Sequence, residues 1–407
     1  MGAVKVPDIL LPKCDLTKWA TVACDQFTAE PEYWKALTEL VGDSPSTLNL
    51  VCPEIYISDG LKDRTASIKK NMDEYLRSGL FESRRGFVLT VRTLGERTRV
   101  GLVVAVDIEK YDWRAVRAEI RATEETIEER LPVRVEIRRE AAVEIPHVLA
   151  LLDDSEKHII EPVYERRGEL EKLYDFDLNM GGGHITGYLV EEGDAEKVIA
   201  LLDETLLPEK QIEKYGYDAG VLLAVGDGNH SLATAKAYWE SLKPTLTSEE
   251  RENHPARFAL IEINNMYGDG IEFEPIHRLI YGMDRSVATE KFVSAVRTSG
   301  VDAGETGDGV LRISGDLPSG SLIKIAEDAA VALKKEGASI EYIHGEDYLR
   351  AAVKRTNGVG LIMPEFDKKE LFGYMLRMGK LPKKAFSIGN AEFKRYYLES
   401  RLIKPED

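Results

Sequence analysis

Six residues between an apolar run and a helical pattern have types and spacing that suit chemistry. Gly226 to Ser231 read GDGNHS; the apolar run 221–225 before them predicts a buried strand, and the spacing of apolar residues in 232–239 predicts a helix. A strand that passes through glycines into a helix is typical of an anion site, because the first helical N–H groups are unpaired and the helix dipole favours negative charge. The turn therefore predicts a phosphate-binding site.

The residues of this turn divide into those that would bind phosphate and those that would do chemistry. Serine is a good N-cap, so Ser231 is expected to cap the helix. A histidine at a helix N-terminus is favoured in its neutral form, so His230 would donate from one ring nitrogen. Asp227 could accept a proton or hold Mg²⁺. Glycines allow close backbone approach, and the candidate phosphate ligands are Gly226, Gly228, Asn229 and Ser231.

The alternative is a turn that only reverses the chain. Asp-Gly and Gly-Asn are common turn pairs. The stretch is not a Walker A loop, since no Gly-Lys-Ser/Thr follows, and it is not the dinucleotide pattern GxGxxG. The density of polar side chains favours the functional interpretation.

Two further stretches hold candidate catalytic residues. His277 and Arg278 follow Pro275, and an arginine offers planar bidentate donors to phosphate. The alternative is a surface arginine beside a structurally satisfied histidine. Asp25 follows the apolar segment 19–24, which predicts a strand, and like Asp227 it could take a hydroxyl proton or hold Mg²⁺.

A basic cluster near the C-terminus is the third candidate. Lys383 and Lys384 are assigned to phosphate binding, together with Lys394 and Arg395 nearby in the sequence. The alternative is surface charge on a C-terminal helix, and the sequence favours neither interpretation over the other.

The composition bounds the class of protein. The formal net charge of −17 argues against non-specific binding of nucleic acid or anionic membrane, although a local basic pocket is compatible with it. No apolar run approaches the ~20 residues that span a bilayer. Cys14, Cys24 and Cys52 have no metal-ligand spacing and no even pairing, so we expect a reducing cytoplasm and no metal site.

The alternation of helical and strand patterns predicts a mixed α/β fold. Strands at 86–93 and 98–107 form a predicted hairpin. The polar stretch 241–254 marks a change of lobe, so the predicted domains are 1–245, 246–366 and 367–407. Further predictions are helices at 112–130 and 145–155, strands at 132–137 and 321–326, and a tail, 368–402, that is helical at both ends.

Asp227-Gly228-Asn229-His230 followed by a helix resembles the DGHHR element of domain-of-unknown-function family 1015. It is also similar to the wider ParB/sulfiredoxin-like group, which includes ADP-dependent free serine kinases. This sequence departs from the family pattern, with Asn229 in place of a common His and Ser231 in place of a common Arg. Family-like stretches occur at 23–25, 161–164, 274–278, 381–386 and 394–399. The match at 22–25 is partial, because the family usually has PPYD there.

The resemblance implies a ParB/sulfiredoxin-like N-terminal lobe, a second smaller α/β lobe and a C-terminal helical tail. It implies a cytosolic phosphotransferase or phosphatase that acts on a nucleotide and a serine-like or phosphoserine-like metabolite, with an adenine nucleotide and Mg²⁺ as cofactors. The alternative from another class is a non-catalytic nucleotide-binding switch that changes its oligomeric state, with a homodimer as partner. A metal hydrolase using His184, His230 and His277 is the weakest interpretation, because the seven histidines show no ligand spacing.

Overall fold

The chain folds into two compact units of mixed α/β structure. A computed structural model describes residues 2–28, 30–57, 61–115, 117–396 and 398–405. The contacts between residues divide the chain into two units. Unit 1 consists of Met1–Ala122, Thr126–Ile271 and Asn390–Asp407, and unit 2 consists of Thr123–Glu125 and Glu272–Gly389. The mixed α/β class is confirmed. The three-way division at 245 and 366 stays a prediction.

Unit 1 contains most of the secondary structure. Its helices are α1 Leu16–Trp19, α2 Pro31–Val41, α3 Leu61–Arg77, α4 Leu131–Glu140, α5 Glu161–Glu165, α6 Glu192–Thr205, α7 Pro208–Tyr215, α8 Asn229–Leu242 and α9 Ser248–Asn253. Its strands are β1 Val4–Lys5, β2 Asp8–Pro12, β3 Phe81–Leu94, β4 Arg97–Asp107, β5 Ile120–Ala122, β6 Val143–Glu144, β7 Leu149–Leu152, β8 Glu171–Asp177, β9 His184–Glu191, β10 Leu223–Asp227, β11 Phe258–Asn265 and β18 Arg401–Leu402. None of the helices in the described part of the chain is long and apolar enough to cross a membrane.

One mixed sheet organises unit 1. Its strand order is β5-β10-β7-β11-β4-β3-β9-β8, with β1 added to β4 and β2 to β3. The predicted hairpin is confirmed as the antiparallel pair β3–β4, with register Val88 opposite Val103. β10 is parallel to β5 and antiparallel to β7. The pair β18–β6 forms a separate two-stranded sheet.

Successive apolar side chains along the central strands point alternately into two hydrophobic cores, one on each face of the sheet. In β3, Phe87 and Leu89 pack into one core, whereas Val88 packs into the other. In β4, Leu102 and Val103 divide in the same way. Successive side chains of a strand point to opposite faces, so a sheet covered on both faces needs the nearly continuous apolar runs found here.

Unit 2 is built around one long strand. Its strands are β12 Phe273–Tyr281, β13 Asp302–Glu305, β14 Val310–Ser314, β15 Ser339–His344, β16 Val359–Ile362 and β17 Phe386–Ile388. Its helices are α10 Arg285–Arg297, α11 Ser319–Lys335, α12 Glu346–Thr356 and α13 Leu371–Met378. The sheet order is β13-β14-β16-β12-β15, and β17 pairs with the first residues of β12.

Several local predictions in the first half are wrong. In the described residues of the charged segment predicted as helix 112–130, the regular structure is β5 and a 3₁₀ turn. The segment predicted as strand 132–137 lies in α4, where Pro132 occupies the first turn, which tolerates proline. Predicted helix 145–155 contains β7, a fully buried Leu-Ala-Leu-Leu run. Periodicity cannot distinguish a short continuous apolar run from a buried helix.

Three predicted elements elsewhere are also wrong. Segment 19–24 holds the end of α1 and a single bridge from Val22 to Arg395 instead of a strand. Predicted strand 321–326 lies inside α11. The tail has α13 at its first end, but among its described residues the second end forms no α-helix, because its last residues pair in β18 and pack into unit 1. Tyr397, part of the family-like stretch 394–399, lies outside the described residues.

Candidate functional site

The turn between β10 and α8 has the predicted strand–glycine–helix form, but its cap differs. α8 begins at Asn229, Gly228 is its N-cap, and no side chain caps it, so the prediction of Ser231 as N-cap is wrong. Gly228 has φ +78°, and a Cβ there would lie 2.9 Å from the Cα of Val148. The first bond of the helix runs from Leu232 N–H to Gly228 C=O. The amides at 229–231 therefore precede the helical ladder and have no partner within it.

Gly226 and Asp227 end the strand beside this helix. The pairing of β10 with β7 shifts register between Val225 and Asp227, which makes Gly226 the extra residue of a bulge. Bulges of this kind redirect the side chain that follows. One oxygen of Asp227 accepts the N–H of Gly228 at 2.8 Å, and the other lies 3.0 Å from Nζ of Lys394. Lys394 is thereby placed beside the N-terminus of α8.

The side chains of the first helical turn are held in defined positions. The side-chain amide of Asn229 donates to Val225 C=O at 3.2 Å, while its Oδ1 is buried without a hydrogen-bond partner among the described residues. Nε2 of His230 accepts the N–H of Ile127 at 3.1 Å. A nitrogen that accepts is unprotonated, so this bond places the proton of a neutral His230 on Nδ1. A buried acceptor and an imidazole donor thus occur side by side.

A second imidazole, that of His147, adjoins the same turn. Its Nε2 lies 3.3 Å from Oγ of Ser231, and its ring meets that of Tyr396 edge-on at 5.2 Å. The hydroxyl of Tyr396 accepts the N–H of Cys24 at 3.3 Å. His147 is not among the residues predicted from the sequence, because a histidine after proline in a non-helical segment has no recognisable spacing to the turn.

Asp25 lies close enough to Tyr396 to affect its hydroxyl electrostatically. Gln26 donates to its carboxylate at 2.9 Å. Burial and the nearby Asp25 raise the pKa of the Cys24 thiol to about 11. Burial, Cys24 and Asp25 raise the pKa of Tyr396 well above its ordinary value. Cys24 is therefore a neutral thiol near pH 7, which argues against a nucleophilic cysteine here.

Arg395 holds the segment that carries Lys394. Its guanidinium donates to Oδ1 of Asn179 at 2.7 Å and to Asn179 C=O at 2.5 Å, and it covers Gly182 so closely that a Cβ there would lie 2.5 Å from Nη2. Arg92 donates to Gly182 C=O and to Phe393 C=O. Two arginines therefore contact Gly182, which belongs to the glycine cluster before β9: Arg92 by a hydrogen bond and Arg395 by packing. Arg395 is 3 % exposed, so its structural role differs from a basic wall facing a ligand.

The other two predicted catalytic residues lie in β12 of unit 2. Arg278 is fully buried, and its Nε donates to Glu327 at 2.8 Å, with the guanidinium 4.9 Å from the ring centroid of Tyr342. Nδ1 of His277 accepts the N–H of Met363 at 3.2 Å, and burial lowers the pKa of His277. Both side chains thus serve the packing of the sheet, and their predicted contact with phosphate stays a prediction.

Lys383 and Lys384 follow α13 in unit 2. Nζ of Lys383 lies 5.8 Å from the centroid of the Tyr342 ring. Lys384 is exposed, has φ +58°, and its backbone N–H donates to Glu124 at 3.0 Å. Their predicted role in phosphate binding also stays a prediction.

No preformed metal cage accompanies these residues. The described residues contain no group of three or more His, Cys, Asp or Glu side chains that could hold a metal ion. His184, one of the three histidines of the metal-hydrolase interpretation, lies in ion-pair contact with Asp175 and Asp177 at 2.7 Å from each. A Mg²⁺ ion that is bound through one carboxylate and substrate phosphates does not need such a cage.

Comparisons with known proteins identify the family. A family model described as a protein of unknown function (DUF1015) matches residues 8–377. Solved structures similar to this chain include a mutant free serine kinase in complex with AMP, with TM-score 0.36 and 10 % identity over 70 % of this chain and 86 % of that one. A complex of a mutant free serine kinase with ADP has TM-score 0.35 and 12 % identity over the same shares. A conserved hypothetical protein from Pyrococcus furiosus has TM-score 0.36 and 10 % identity over 74 % of this chain and 95 % of that one. No curated protein matches this sequence. The match along nearly the whole chain shows that it belongs to the family of unknown function DUF1015.

Proposed function

We propose that this protein is a phosphotransferase that moves a phosphoryl group between an adenine nucleotide and a small hydroxy metabolite. One observation carries the proposal: the 14-residue helix α8 starts behind Gly228 without a side-chain cap, and Lys394 is held beside that start by Asp227. Helix amides and a lysine together form an anion site. We also infer the ParB/sulfiredoxin-like architecture for unit 1.

The residues of the turn would act on charge and position. The amides at 229–231 and the ammonium of Lys394 would bind phosphate oxygens, and Nδ1–H of His230 would donate to the transferring group. Phosphoryl transfer depends mainly on such positioning and charge stabilisation. The unpartnered Oδ1 of Asn229 would accept from a hydroxyl or N–H of a ligand.

The proposed reaction is a single displacement at phosphorus. The hydroxyl oxygen of the acceptor bonds to the terminal phosphorus, the bond from phosphorus to the leaving nucleotide oxygen breaks, and the hydroxyl proton passes to Asp25 or Asp227 as general base. With water as acceptor the same site would act as a phosphatase. Asp227 lies 3.0 Å from the ammonium of Lys394, and the carboxylate of Asp25 accepts from Gln26.

A carboxylate of Asp25 or Asp227 would hold Mg²⁺ together with substrate phosphates. When bound, this ion neutralises charge on the phosphates. His277, Arg278, Lys383 and Lys384 remain candidates for further phosphate contacts.

The proposal can be tested by ³¹P NMR of the full chain with Mg²⁺ and ATP or ADP, with serine, phosphoserine and other hydroxy compounds as partners. The expected result is a new phosphate ester or nucleotide resonance that His230→Ala reduces at least tenfold. His158→Ala, which changes an exposed histidine elsewhere in unit 1, serves as control.

Two outcomes would contradict catalysis. Turnover that survives undiminished in His230→Ala would remove the site assignment. Tight nucleotide binding without turnover, accompanied by a change of oligomeric state in light scattering, would instead support the non-catalytic switch.

A further inference from the structure

A cavity of unit 1 shares wall residues with the candidate site. It measures about 180 Å³, and the shared residues include Cys24, His147, Ser231 and Tyr396. The rest of the wall includes residues of α4, the loop before β7, the first turns of α8, the segment at 50–57, α3 and β11. The cavity therefore adjoins the place where phosphate is proposed to bind.

Most of the cavity wall is apolar. Side chains such as Leu50, Met72, Ile137, Val148 and Leu260 contribute to it. An apolar wall stabilises an apolar group by removing it from water, whereas it offers no hydrogen bonds to a polar group that contacts it.

The charged side chains in the wall are already paired with each other. Arg134 forms an ion pair with Glu54, and Arg138 forms one with Glu144. Glu144 also lies 3.5 Å from Arg401 and accepts the N–H of Leu260. Breaking such pairs to receive a charged ligand group would leave a buried charge uncompensated, which is costly. An uncharged occupant fits this wall better than a second charged group.

The volume limits the size of that occupant. An apolar protein cavity of about 150 Å³ is known to bind benzene. At about 180 Å³, this cavity accommodates a group of similar or slightly larger size, on the order of six to eight non-hydrogen atoms. The side chain of serine would leave most of it empty.

Ser231 and His147 supply the polar part of the wall. The hydroxyl of Ser231 lies 3.3 Å from Nε2 of His147, both residues line the cavity, and Ser231 belongs to the first turn of α8. A ligand whose apolar body fills the cavity would therefore carry its hydroxyl, or the phosphate attached to it, toward this pair and the helix N-terminus.

We propose that the second substrate is an alcohol, or its phosphate ester, with a branched aliphatic or aromatic body of about six to eight carbon atoms. This inference rests on the proposed function for the phosphoryl-transfer step and adds the substrate class. The acceptor oxygen bonds to phosphorus, the nucleotide leaves with the cleaved P–O electrons, and the proton passes to the general base named above.

Isothermal titration of the full chain with 2-phenylethanol, 4-methylpentan-1-ol, serine and, separately, ADP tests the proposal. We expect saturable binding of both alcohols to the wild type, with serine weaker by tenfold or more. Ala235→Leu, which places a larger side chain in the cavity wall, should weaken alcohol binding at least tenfold and leave ADP binding unchanged. Ala237→Leu makes the same change outside the wall of the cavity, and it should alter neither affinity.

The outcomes separate this inference from the proposed function. ADP binding without alcohol binding to the wild type overturns the substrate class and leaves the nucleotide site intact. Alcohol binding without ADP binding contradicts the role as second substrate. Equal alcohol affinity in Ala235→Leu and the wild type also overturns the proposal. If thermal unfolding shows that Ala235→Leu is not folded, Ala141→Leu in the same wall replaces it, and the wild-type titrations remain decisive.

Discussion

Nζ of Lys394 lies 3.0 Å from Oδ2 of Asp227, so the C-terminal segment of the chain contributes a cation to the turn between β10 and α8. Both side chains are mostly buried, at 15 % and 23 % exposure. A partly buried ion pair is less screened by salt than an exposed one. Lys394 thus supplies a cation that Asp227 holds in place beside the start of α8.

Replacing Lys394 by methionine should weaken nucleotide binding. Hydrogen bonds to charged groups contribute about 1.5 to 3 kcal/mol, so we expect the dissociation constant of ADP to rise about tenfold or more. Isothermal titration measures the change. Lys197→Met, at a lysine that is 77 % exposed, is the control and should bind ADP as the wild type does. Unchanged affinity in Lys394→Met would exclude Lys394 from the site.

Gly228→Ala should destabilise unit 1 and impair ligand binding. The residue has φ +78°, and a Cβ would lie 2.9 Å from backbone Cα of Val148, so both conformation and space oppose a side chain. We expect a loss of about 1 to 3 kcal/mol in the free energy of unfolding, measured by urea denaturation. Gly42→Ala is a matched control, with φ +56° and no atom within 4 Å, and it should cost less. Equal losses in the two variants would show that the contact with Val148 is unimportant.

Asn179→Ala should weaken nucleotide binding, although Asn179 lies outside the turn. It binds Arg395, which holds the segment that carries Lys394. Oδ1 of Asn179 accepts from Arg395 at 2.7 Å, and its amide donates to Thr17 C=O at 2.7 Å and Ala20 C=O at 3.1 Å. Loss of these bonds should loosen Lys394 and raise the dissociation constant of ADP several-fold. Arg395→Lys should also bind ADP more weakly than the wild type, because lysine cannot donate to two acceptors in a plane. Wild-type affinity in Asn179→Ala would contradict a positioning role.

Glu399 makes the stability of unit 1 depend on pH. It is fully buried, Tyr174 donates to it at 2.7 Å, and burial raises its pKa from 4.5 to about 7. The folded state therefore retains a proton that the unfolded state releases, so stability is complete below pH 4.5 and falls as pH rises through about 7. The loss has an upper limit of about 3 kcal/mol for this rise in pKa.

Glu399→Gln should remove that pH dependence. A neutral amide of the same shape cannot ionise, so the variant should gain stability relative to the wild type between pH 5 and pH 8, measured by urea denaturation at both values. Glu196→Gln changes an exposed carboxylate and should track the wild type at both pH values. A difference between Glu399→Gln and the wild type that shrinks as pH rises would contradict the assignment.

The sequence predicts the elements with strong local signals. The β3–β4 hairpin and the strand–glycine–helix order of β10 and α8 follow from alternation and from glycine placement. The predictions fail where a short buried strand resembles a helix segment, as at β7, and where the C-terminal segment takes its structure from distant partners. Local periodicity carries no information on such long-range pairing.

The part of the candidate site that lies in one continuous segment can be predicted from the sequence, whereas contacts between distant segments cannot. Asp227, Asn229 and His230 lie in one turn and share a recognisable spacing. His147 and the ion pair of Lys394 with Asp227 depend on tertiary structure, since they join segments that are distant in the sequence. The burial of Arg278 against Glu327 likewise depends on the folded sheet and cannot be predicted from local sequence patterns.

A crystal structure of the full chain with ADP and Mg²⁺ tests the central claim most directly. The account predicts phosphate oxygens within hydrogen-bond distance of backbone N–H groups at 229–231 and of Nζ of Lys394, with Oδ2 of Asp227 moved from or shared with that ammonium. ADP bound elsewhere, or a phosphate that contacts neither the start of α8 nor Lys394, would contradict it.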